Sequence, residues 1–447
     1  MISTPIWDFV AAYQAKGGLR LHMPGHKGRA MLGPEAMDIT EIAGADELYH
    51  PRGIIRESEE NAASLFGAAR TCYSTEGSSL CIRAMVYLSL LHGRAQGRRP
   101  LLLAGRNAHK AFLSACALLD AEVSWLYPEG ESSLIACPLS ADGLQKGLTA
   151  LPEKPAAVYV TSPDYLGNRL DIAALAAVCH AQDTPLVVDN AHGAYLKFLE
   201  TDQHPLTLGA DLCCDSAHKT FPVLTGGAYL HIGKNAPAAF AQHADRALAL
   251  FASSSPSYLI LQSLDQCNLY LSQEYPGQLA ALAGRMNAMK ERLSAQGWLL
   301  QGNEPCKLTL APKRQGYTGD GLHALLRKQN MEWEFSDPDF LTAMLTPEIS
   351  PTELNRLEET LLSVPRRSPI PGGPPAPPRG ERVLSLRQAM LFPCQEIPVE
   401  EAVGRVLSSA HLSCPPCVPI LAPGERIDRA AADCFHYYGI ETCAVTA

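Results

Sequence analysis

Short apolar runs that alternate with helical segments constrain the fold of this chain more than any other feature. Residues 101–104, 156–160, 185–189 and 212–214 have the length and composition of buried strands. Such alternation predicts a mainly parallel sheet with helices on both faces. Polar residues follow these runs, and open α/β sheets bind ligands outside the carboxyl ends of their strands. The sequence therefore predicts an α/β fold with one functional site at that edge.

Two neighbouring runs end in residues that suit one type of covalent chemistry. Residues 212–214 are followed by Ser216, His218 and Lys219, and the run at 185–189 ends in Asp189. A lysine beyond a strand end, flanked by groups that can hold an anion, suits catalysis through a Schiff base. An aspartate opposite it keeps the pyridine nitrogen of pyridoxal phosphate protonated. For Lys219 taken alone, an ordinary surface lysine is the alternative.

A third motif has the features of a phosphate site. Thr75-Glu-Gly-Ser-Ser79 precedes a predicted helix that runs to about residue 91. Free backbone N–H groups and the positive end of a helix dipole favour phosphate at such a position. Serine and threonine also serve as plain helix caps, so the motif is weak by itself.

Several blocks of sequence resemble the ornithine/lysine/arginine decarboxylase family, which depends on pyridoxal phosphate. The resemblance covers nearly the whole chain, in the order in which the family has these blocks. They are His22-Met-Pro-Gly-His-Lys-Gly28, Asp46-Glu-Leu48, Arg106-Asn-Ala-His-Lys110, Thr161-Ser-Pro-Asp-Tyr-Leu-Gly167, Asp189-Asn-Ala-His192, Ser216-Ala-His-Lys219 and Ser254-Ser-Pro-Ser-Tyr-Leu259.

The resemblance implies a fold, an activity and residue roles. It implies the aspartate-aminotransferase-type fold (fold type I), decarboxylation of arginine, lysine or ornithine to the amine and CO2, and a place in polyamine-type metabolism. Lys219 would form the Schiff base, Asp189 would hold the pyridinium nitrogen, and His109 would stack on the ring. Further cofactor contacts are predicted at His192, Gly77, Ser78, Ser79, Thr161, Ser216 and His218. His218 is also a candidate proton donor beside Lys219.

An N-terminal arm offers a second lysine. Lys27 lies in the His22–Gly28 block, which the family places near the neighbouring subunit's active site, and it competes with Lys219 as the Schiff-base residue. Lys219 is favoured because a strand end near Asp189 is better fixed than a glycine-flanked arm. The arm and the Ser254–Leu259 block imply a homodimer or a larger assembly.

A basic substrate predicts an acid near its far end, because an unpaired buried charge is unfavourable. The candidates are Asp46, Glu47 and Glu334. A guanidinium pairs with a carboxylate through two hydrogen bonds, which slightly favours arginine over lysine.

Departures from the family pattern leave two other functions open. Glu76 stands where the family more often has asparagine, and Gly226 stands where it often has glutamine. One alternative keeps the cofactor but changes the reaction to transamination or elimination on another amino acid. The other is a non-catalytic protein that binds pyridoxal phosphate. We expect the Glu76 side chain to face away from the phosphate.

The chain divides into five predicted segments. These are an arm (1–30), a large cofactor-binding domain (31–250), a small α/β domain (251–365), a proline-rich linker (366–380) and a C-terminal decarboxylase-type domain (381–447). Within the last segment, Cys414-Pro-Pro-Cys417 allows a metal or redox interpretation. Only one such pair is present, without a second pair or a His-x-x-x-His downstream, so no metal site is predicted.

Bulk properties exclude several classes of protein. A net charge of −9 without a basic run argues against a nucleic-acid partner. No apolar stretch approaches the ~20 residues that span a bilayer. Fourteen cysteines in a chain without a recognisable signal peptide are interpreted as reduced thiols. We therefore expect a cytoplasmic enzyme.

Overall fold

A seven-stranded sheet lies at the centre of the fold in the computed structural model, which describes residues 2–130, 132–409 and 417–447. Its strands are β1 (Arg70–Ser74), β2 (Leu101–Gly105), β3 (Glu122–Leu126), β4 (Ala157–Thr161), β5 (Leu186–Asp189), β6 (Leu212–Asp215) and β7 (Ala228–Ile232). Their order is β1-β7-β6-β5-β4-β2-β3, and β7 alone runs antiparallel to its neighbours. The predicted mainly parallel sheet is confirmed.

Helices pack around this sheet and connect its strands. They are α1 (Pro5–Ala15), α2 (Ile54–Phe66), α3 (Gly77–Ala95), α4 (Lys110–Leu119), α5 (Ala141–Ala150), α6 (Ile172–Ala181), α7 (Ala217–Thr220) and α8 (Ala238–Ala249). Side chains cap several of them, as Ser140 does for α5 and Asp171 for α6. On α1, Ile6 and Val10 are buried, whereas Trp7 is 40% exposed.

The smaller α/β part follows the large sheet. It contains α9 (Tyr258–Gln273), α10 (Tyr275–Ala295), β8 (Leu300–Gln301), β9 (Lys307–Leu310), α11 (Gly319–Arg327), β10 (Phe335–Ser336), β11 (Leu341–Met344) and α12 (Pro351–Ser363). The four strands form an antiparallel sheet in the order β10-β11-β9-β8. A capping box formed by Ser350 and Glu353 begins α12.

The C-terminal part lies beyond a stretch without helix or strand that includes the predicted linker 366–380. It contains α13 (Leu386–Leu391), β12 (Cys394–Pro398), α14 (Val399–Ala402), α15 (Arg429–Tyr437) and β13 (Thr442–Thr446), and β12 pairs with β13. The buried guanidinium of Arg106, just after β2, donates to the carbonyls of Pro419 and Ile420 at 3.0 and 2.9 Å. This contact fixes the C-terminal part beside the end of β2.

Across the described ranges, none of the helices combines the length and the apolar character that a membrane crossing requires.

Candidate active site

A cavity of about 340 Å³ opens beyond the carboxyl ends of the central strands. Every cofactor-binding candidate from the sequence lines it: Gly77, Ser78, Ser79, His109, Thr161, Asp189, His192, Ser216, His218 and Lys219. These residues come from five separate strand–helix connections, and the topology of the sheet brings them together. A larger open cleft nearby shares only Thr161 with this set.

Lys219 lies on the short helix α7, directly after β6. Its Nζ is largely buried and lies 2.8 Å from Nε2 of His192. Burial lowers the pKa of this amine, while the charges of Asp189 and Glu334 act in the opposite direction. A lysine with a lowered pKa has a larger share of the nucleophilic neutral form.

The competing lysine of the arm is placed differently. Lys27 is exposed, and its Nζ donates to the carbonyl of His22. It does not line the cavity within the described chain. Of the two candidates, only Lys219 is buried beside groups that change the reactivity of its amine.

Asp189 ends β5 and is 2% exposed. One carboxylate oxygen accepts a hydrogen bond from the Tyr159 hydroxyl at 2.9 Å, and the other accepts from the backbone N–H of Ala191 at 3.2 Å. Tyr159 lies within strand β4, and its apolar neighbours in the sequence do not indicate a polar role. These two donors fix the orientation of the carboxylate at the cavity wall.

The imidazole of His109 both caps a helix and lines the cavity. Its Nδ1 accepts a hydrogen bond from the N–H of Ala111 at 3.1 Å and so caps α4, while the ring lines the cavity. Since Nδ1 is the acceptor, the proton of the neutral ring is on Nε2. Burial lowers the pKa of His109 to about 4. The ring is therefore uncharged at neutral pH.

Three hydroxyl groups of the cavity are available to a bound anion or cofactor. Ser216 Oγ donates to Ser78 Oγ at 2.8 Å, at the N-terminus of the 19-residue helix α3. Thr161 Oγ1 is buried and has no hydrogen-bond partner among the described residues. A hydroxyl pair, a helix N-terminus and an unpaired hydroxyl are the kinds of donor that a phosphate group requires.

Glu76 and Gly226, the two departures from the family pattern, both have structural explanations. The carboxylate of Glu76 accepts a hydrogen bond from the N–H of Ser253 at 2.7 Å, which directs its charge towards the segment before α9. Gly226 has φ +103°, and a Cβ there would lie 2.7 Å from the carbonyl oxygen of Thr75. Its own carbonyl accepts from the N–H of Gly77 at 2.7 Å. A glycine at 226 therefore allows the loop before β7 to approach the start of α3.

A buried group of charged and titratable side chains lies behind Lys219. His192 Nδ1 is 2.9 Å from Nζ of Lys307, which in turn lies 3.3 Å from a carboxylate oxygen of Glu304. Lys307 and Glu304 are both 2% exposed. Lys307 is the first residue of strand β9, and its buried contacts were not predicted from the sequence.

None of the three acids proposed for the substrate lines the cavity in the described chain. The Asp46 carboxylate accepts hydrogen bonds from backbone N–H groups at the start of α2, including those of Arg52 and Gly53. Glu47 is exposed and does not line the cavity in the described chain. Glu334 is close enough for its charge to act on both His218 and Lys219, and it accepts a hydrogen bond from Tyr165 Oη at 2.8 Å.

A buried cluster of two histidine side chains and one carboxylate lies at the end of β6. His204 Nε2 and His231 Nε2 lie 3.0 and 3.2 Å from one carboxylate oxygen of Asp215, and all three residues are fully buried. Nδ1 of His204 accepts from the N–H of Leu206 at 3.3 Å, so its Nε2 carries the proton that Asp215 accepts. The other oxygen of Asp215 accepts from Asn190 at 2.7 Å. The cluster thus ties the end of β6 to the residue after Asp189.

The C-terminal part also contributes to the cavity wall. Cys417 and Val418 line it, and the carbonyl of Cys417 accepts from the N–H of Lys110 at 2.9 Å. This contribution was not predicted, because the sequence separates these residues from the large domain by the linker. Cys414, the other half of the Cys-x-x-Cys motif, lies outside the described residues.

Sequence comparisons match the chain to one family. It matches the Orn/Lys/Arg decarboxylase major domain over residues 4–353 and the C-terminal domain of the same enzymes over residues 386–442. An arginine decarboxylase of Halalkalibacterium halodurans is 29% identical over 96% of this chain and 91% of its own length. An arginine decarboxylase of Bacillus subtilis is 28% identical over 95% and 91% of the two chains.

Structure comparisons agree on the fold. The E. coli constitutive lysine decarboxylase has a TM-score of 0.77 at 17% identity, over 99% of this chain and 80% of its own. A structure of SPT with PLP has a TM-score of 0.55 at 14% identity, over 69% of this chain and 75% of its own. The predicted fold class is therefore confirmed.

Proposed function

The chain belongs to the Orn/Lys/Arg decarboxylase family and decarboxylates a basic amino acid, and we propose that this amino acid is arginine and that pyridoxal phosphate is the cofactor. One observation carries the proposal. A buried lysine of lowered pKa, Lys219, shares one cavity with a fixed carboxylate, Asp189, and an uncharged imidazole, His109. These are the groups that the cofactor needs at its aldehyde, at its ring nitrogen and against its ring face.

The residues of the cavity fit pyridoxal phosphate in their donors and acceptors. Ser78, Ser216 and the N-terminus of α3 would hold the phosphate, while the unpaired Thr161 hydroxyl, at the end of β4 beside Asp189, is a further donor towards the cofactor. Asp189, whose carboxylate already accepts from Tyr159 and Ala191, would take the ring N–H. Lys219 would hold the cofactor covalently through Nζ.

When bound, pyridoxal phosphate supplies a protonated ring that accepts the electron pair left as CO2 departs. Asp189 would keep that proton in place, and the neutral His109 would pack against the ring without adding positive charge. Nδ1 of His218 lies 2.9 Å from the Gly227 carbonyl, so Nδ1 carries the proton and Nε2 has none to give in the neutral ring. Burial lowers the pKa of His218, which favours that neutral form. Lys219 Nζ is therefore the group that we assign to return a proton to the product carbon, once the neutral amine has taken up the proton that the substrate's ammonium group loses.

Arginine is proposed because of the relatives and because of one acid. Several relatives with nearly complete coverage are arginine decarboxylases. Glu334 brings a carboxylate close to the end of the cavity that holds Lys219 and His218. A planar guanidinium can pair with such a carboxylate through two parallel hydrogen bonds, whereas an ammonium group forms a point contact.

The test of the substrate is CO2 release from arginine, lysine and ornithine, measured with pyridoxal phosphate supplied. We expect the largest kcat/KM for arginine. A larger kcat/KM for lysine or ornithine would contradict the choice of arginine, and loss of the amino group to an added keto acid would indicate transamination instead.

Neutralising Glu334 tests the proposed contact with the substrate tail. Glu334 is exposed, so loss of its pairing should be smaller than the ~3–5 kcal/mol found for fully buried pairs. We expect Glu334→Gln to lower kcat/KM for arginine about tenfold or more, at about 1.36 kcal/mol per tenfold. Cofactor absorbance should not change, and Glu332→Gln, on the same segment, is the control. Equal kcat/KM in the two variants would place the tail elsewhere.

We also propose that the chain assembles at least as a homodimer. Leu19, Leu21, Met31 and Leu32 of the arm region expose more than four-fifths of their surface. Several large apolar side chains exposed in one short region mark an interaction surface. Lys27, which does not line the cavity of its own chain in the described residues, lies in the His22–Gly28 block, and the resemblance places that block near a neighbouring subunit's active site.

A further inference from the structure

Three buried side chains form a continuous row that ends at the reactive amine. Glu304 and Lys307 come from the small α/β part, His192 from the loop after β5, and Lys219 from α7. The distances along the row are 3.3 Å from Glu304 to Lys307 Nζ, 2.9 Å from Lys307 Nζ to His192 Nδ1 and 2.8 Å from His192 Nε2 to Lys219 Nζ. Lys307 is not among the residues that line the cavity in the described chain.

The charge of Lys307 follows from its surroundings. Glu304 lies at ion-pair distance, although the contact is not aligned as a hydrogen bond. The carbonyl of Asp164 accepts from Lys307 Nζ at 3.3 Å, and the ring of Tyr165 lies 5.9 Å away. A buried carboxylate, a carbonyl and an aromatic face all stabilise an ammonium ion. Lys307 is therefore present as an ammonium ion, paired with the Glu304 carboxylate.

The charge of Lys307 decides which nitrogen of His192 carries the proton. An ammonium group has donors but no lone pair, so Nδ1 of His192 must be the acceptor of the 2.9 Å hydrogen bond. Burial and the charges of Lys219 and Lys307 lower the pKa of His192, so its ring is neutral. A neutral ring with an unprotonated Nδ1 carries its proton on Nε2, which points at Lys219.

We propose that Lys307 is a positioning residue that holds His192 in the Nε2–H tautomer, so that His192 donates to Lys219 and keeps its amine neutral. A donor 2.8 Å away requires a lone pair on Lys219 Nζ, and only the neutral amine has one. The other charged groups near Lys219 are Asp189 and Glu334, which favour its protonation, and Lys307, which opposes it. The inference rests on the proposed function only for the identity of Lys219 as the reactive amine.

Nitrogen-15 NMR of the cofactor-free protein labelled at histidine reads the tautomer directly. The His192 signals are identified by their loss in His192→Gln. We expect Nδ1 of His192 to be unprotonated and Nε2 to be protonated in the unaltered chain. A protonated Nδ1 would overturn the proposal without any substitution at Lys307.

The second measurement is the pKa of Lys219. It is obtained from competitive acetylation of the cofactor-free protein over a series of pH values. The peptide that contains Lys219 is quantified by mass spectrometry. The test variant is Lys307→Met with Glu304→Gln, which leaves no unpaired buried charge. Without the ammonium, His192 can accept from Lys219, so we expect the Lys219 pKa to rise by about one unit. Acetylation at a fixed pH below that pKa then slows about tenfold.

Lys290→Met is the matched control. Its ammonium is also buried in the small α/β part and donates to the carbonyls of Glu304 and Pro305, but it has no contact with His192. We expect it to leave the His192 tautomer and the Lys219 pKa unchanged. An equal shift in this control, or no shift in the test variant, would overturn the role of Lys307.

These readouts do not depend on turnover. If the tautomer and the pKa behave as stated but the protein releases no CO2 from a basic amino acid, the proposed function fails and the role of Lys307 stands. If CO2 is released but Lys307 has no effect on the tautomer or on the pKa, the proposed function stands and the role of Lys307 fails.

Discussion

The reactive side chains of the site follow strand ends, whereas the side chains that support them come from distant segments of the chain. Lys219 and Asp189 were found because each comes directly after an apolar run. Lys307 was missed because its partner His192 lies 115 residues away in the sequence. Tyr159 was missed because an aromatic residue in a buried strand is normally part of the core. Contacts between distant segments depend on the packing of the sheet against the small α/β part, which no local pattern contains.

At the scale of single residues, the first prediction separates the two lysines. Lys219→Ala should abolish both turnover and the visible absorption band that appears when pyridoxal phosphate is added, because the covalent attachment point is lost. Lys27→Ala should retain the band, since Lys27 is exposed and donates only to a backbone carbonyl. A band that survives the first substitution and disappears with the second would reverse the assignment.

The second prediction concerns the pH dependence of stability through His109. Burial lowers its pKa to about 4 in the folded protein, against about 6.5 in the unfolded chain. Between these values the unfolded chain binds the extra proton, so the free energy of unfolding must fall as the pH decreases through this window. The contribution is of the order of 3 kcal/mol, since each pKa unit corresponds to about 1.36 kcal/mol.

We therefore expect cofactor-free His109→Phe to lose less stability than the unaltered protein between neutral pH and about pH 4, as measured by urea unfolding. Loss of the α4 cap lowers its stability at every pH by about 1 kcal/mol, which leaves the slope unaffected. His243→Gln, on α8, is the control for a general effect of removing a histidine. Parallel stability curves for the unaltered protein and His109→Phe would contradict the prediction.

At the scale of elements, the sequence predicted the position of several strands of the large sheet but not the direction of β7. The predicted runs at 101–104 and 212–214 correspond to strands Leu101–Gly105 and Leu212–Asp215. The antiparallel direction of β7 was not predicted, because an apolar run beginning at Ala228 carries no information about direction. The connection between Asp215 and Ala228 contains only the four-residue helix α7, whereas a parallel crossover usually contains a longer α-helix.

The third prediction belongs to the loop before β7. Gly226 has φ +103°, and a Cβ would lie 2.7 Å from the backbone oxygen of Thr75, which cannot rotate away as a side chain could. We expect Gly226→Ala to destabilise the protein by about 1–3 kcal/mol and to weaken cofactor binding, because the start of α3 must shift. Chemical denaturation and titration with pyridoxal phosphate measure the two effects.

Gly277→Ala is the matched control for that substitution. Gly277 lies near the start of α10, and a Cβ there would meet nothing within 4 Å. Alanine has a higher helix propensity than glycine by about 1 kcal/mol, so this variant should be neutral or more stable. If Gly226→Ala were as well tolerated as Gly277→Ala, the loop would have room for the glutamine that the family often has there.

At the scale of the whole molecule, the sequence predicted the order of the parts but not how they share the site. The family matches at 4–353 and 386–442 fall on either side of the predicted linker at 366–380. The cavity nevertheless includes Cys417 and Val418 from beyond that linker. Arg106 explains this sharing, because its buried guanidinium binds the carbonyls of Pro419 and Ile420. Such a contact joins positions 313 and 314 residues apart and has no local signature.

The last prediction tests the assembly. Leu19 and Leu21 expose 85% and 83% of their surface in the single chain, and removing that apolar area from water would stabilise an interface by about 25 cal/mol per Å². We expect the unaltered protein to sediment as a dimer or a larger species, and Leu19→Asp/Leu21→Asp to shift it towards monomer, because two carboxylates would have to be buried. Leu362→Asp, on the partly exposed face of α12, is the control and should leave the assembly unchanged. An unaltered protein that is fully active as a monomer at assay concentration would show that the arm has another role.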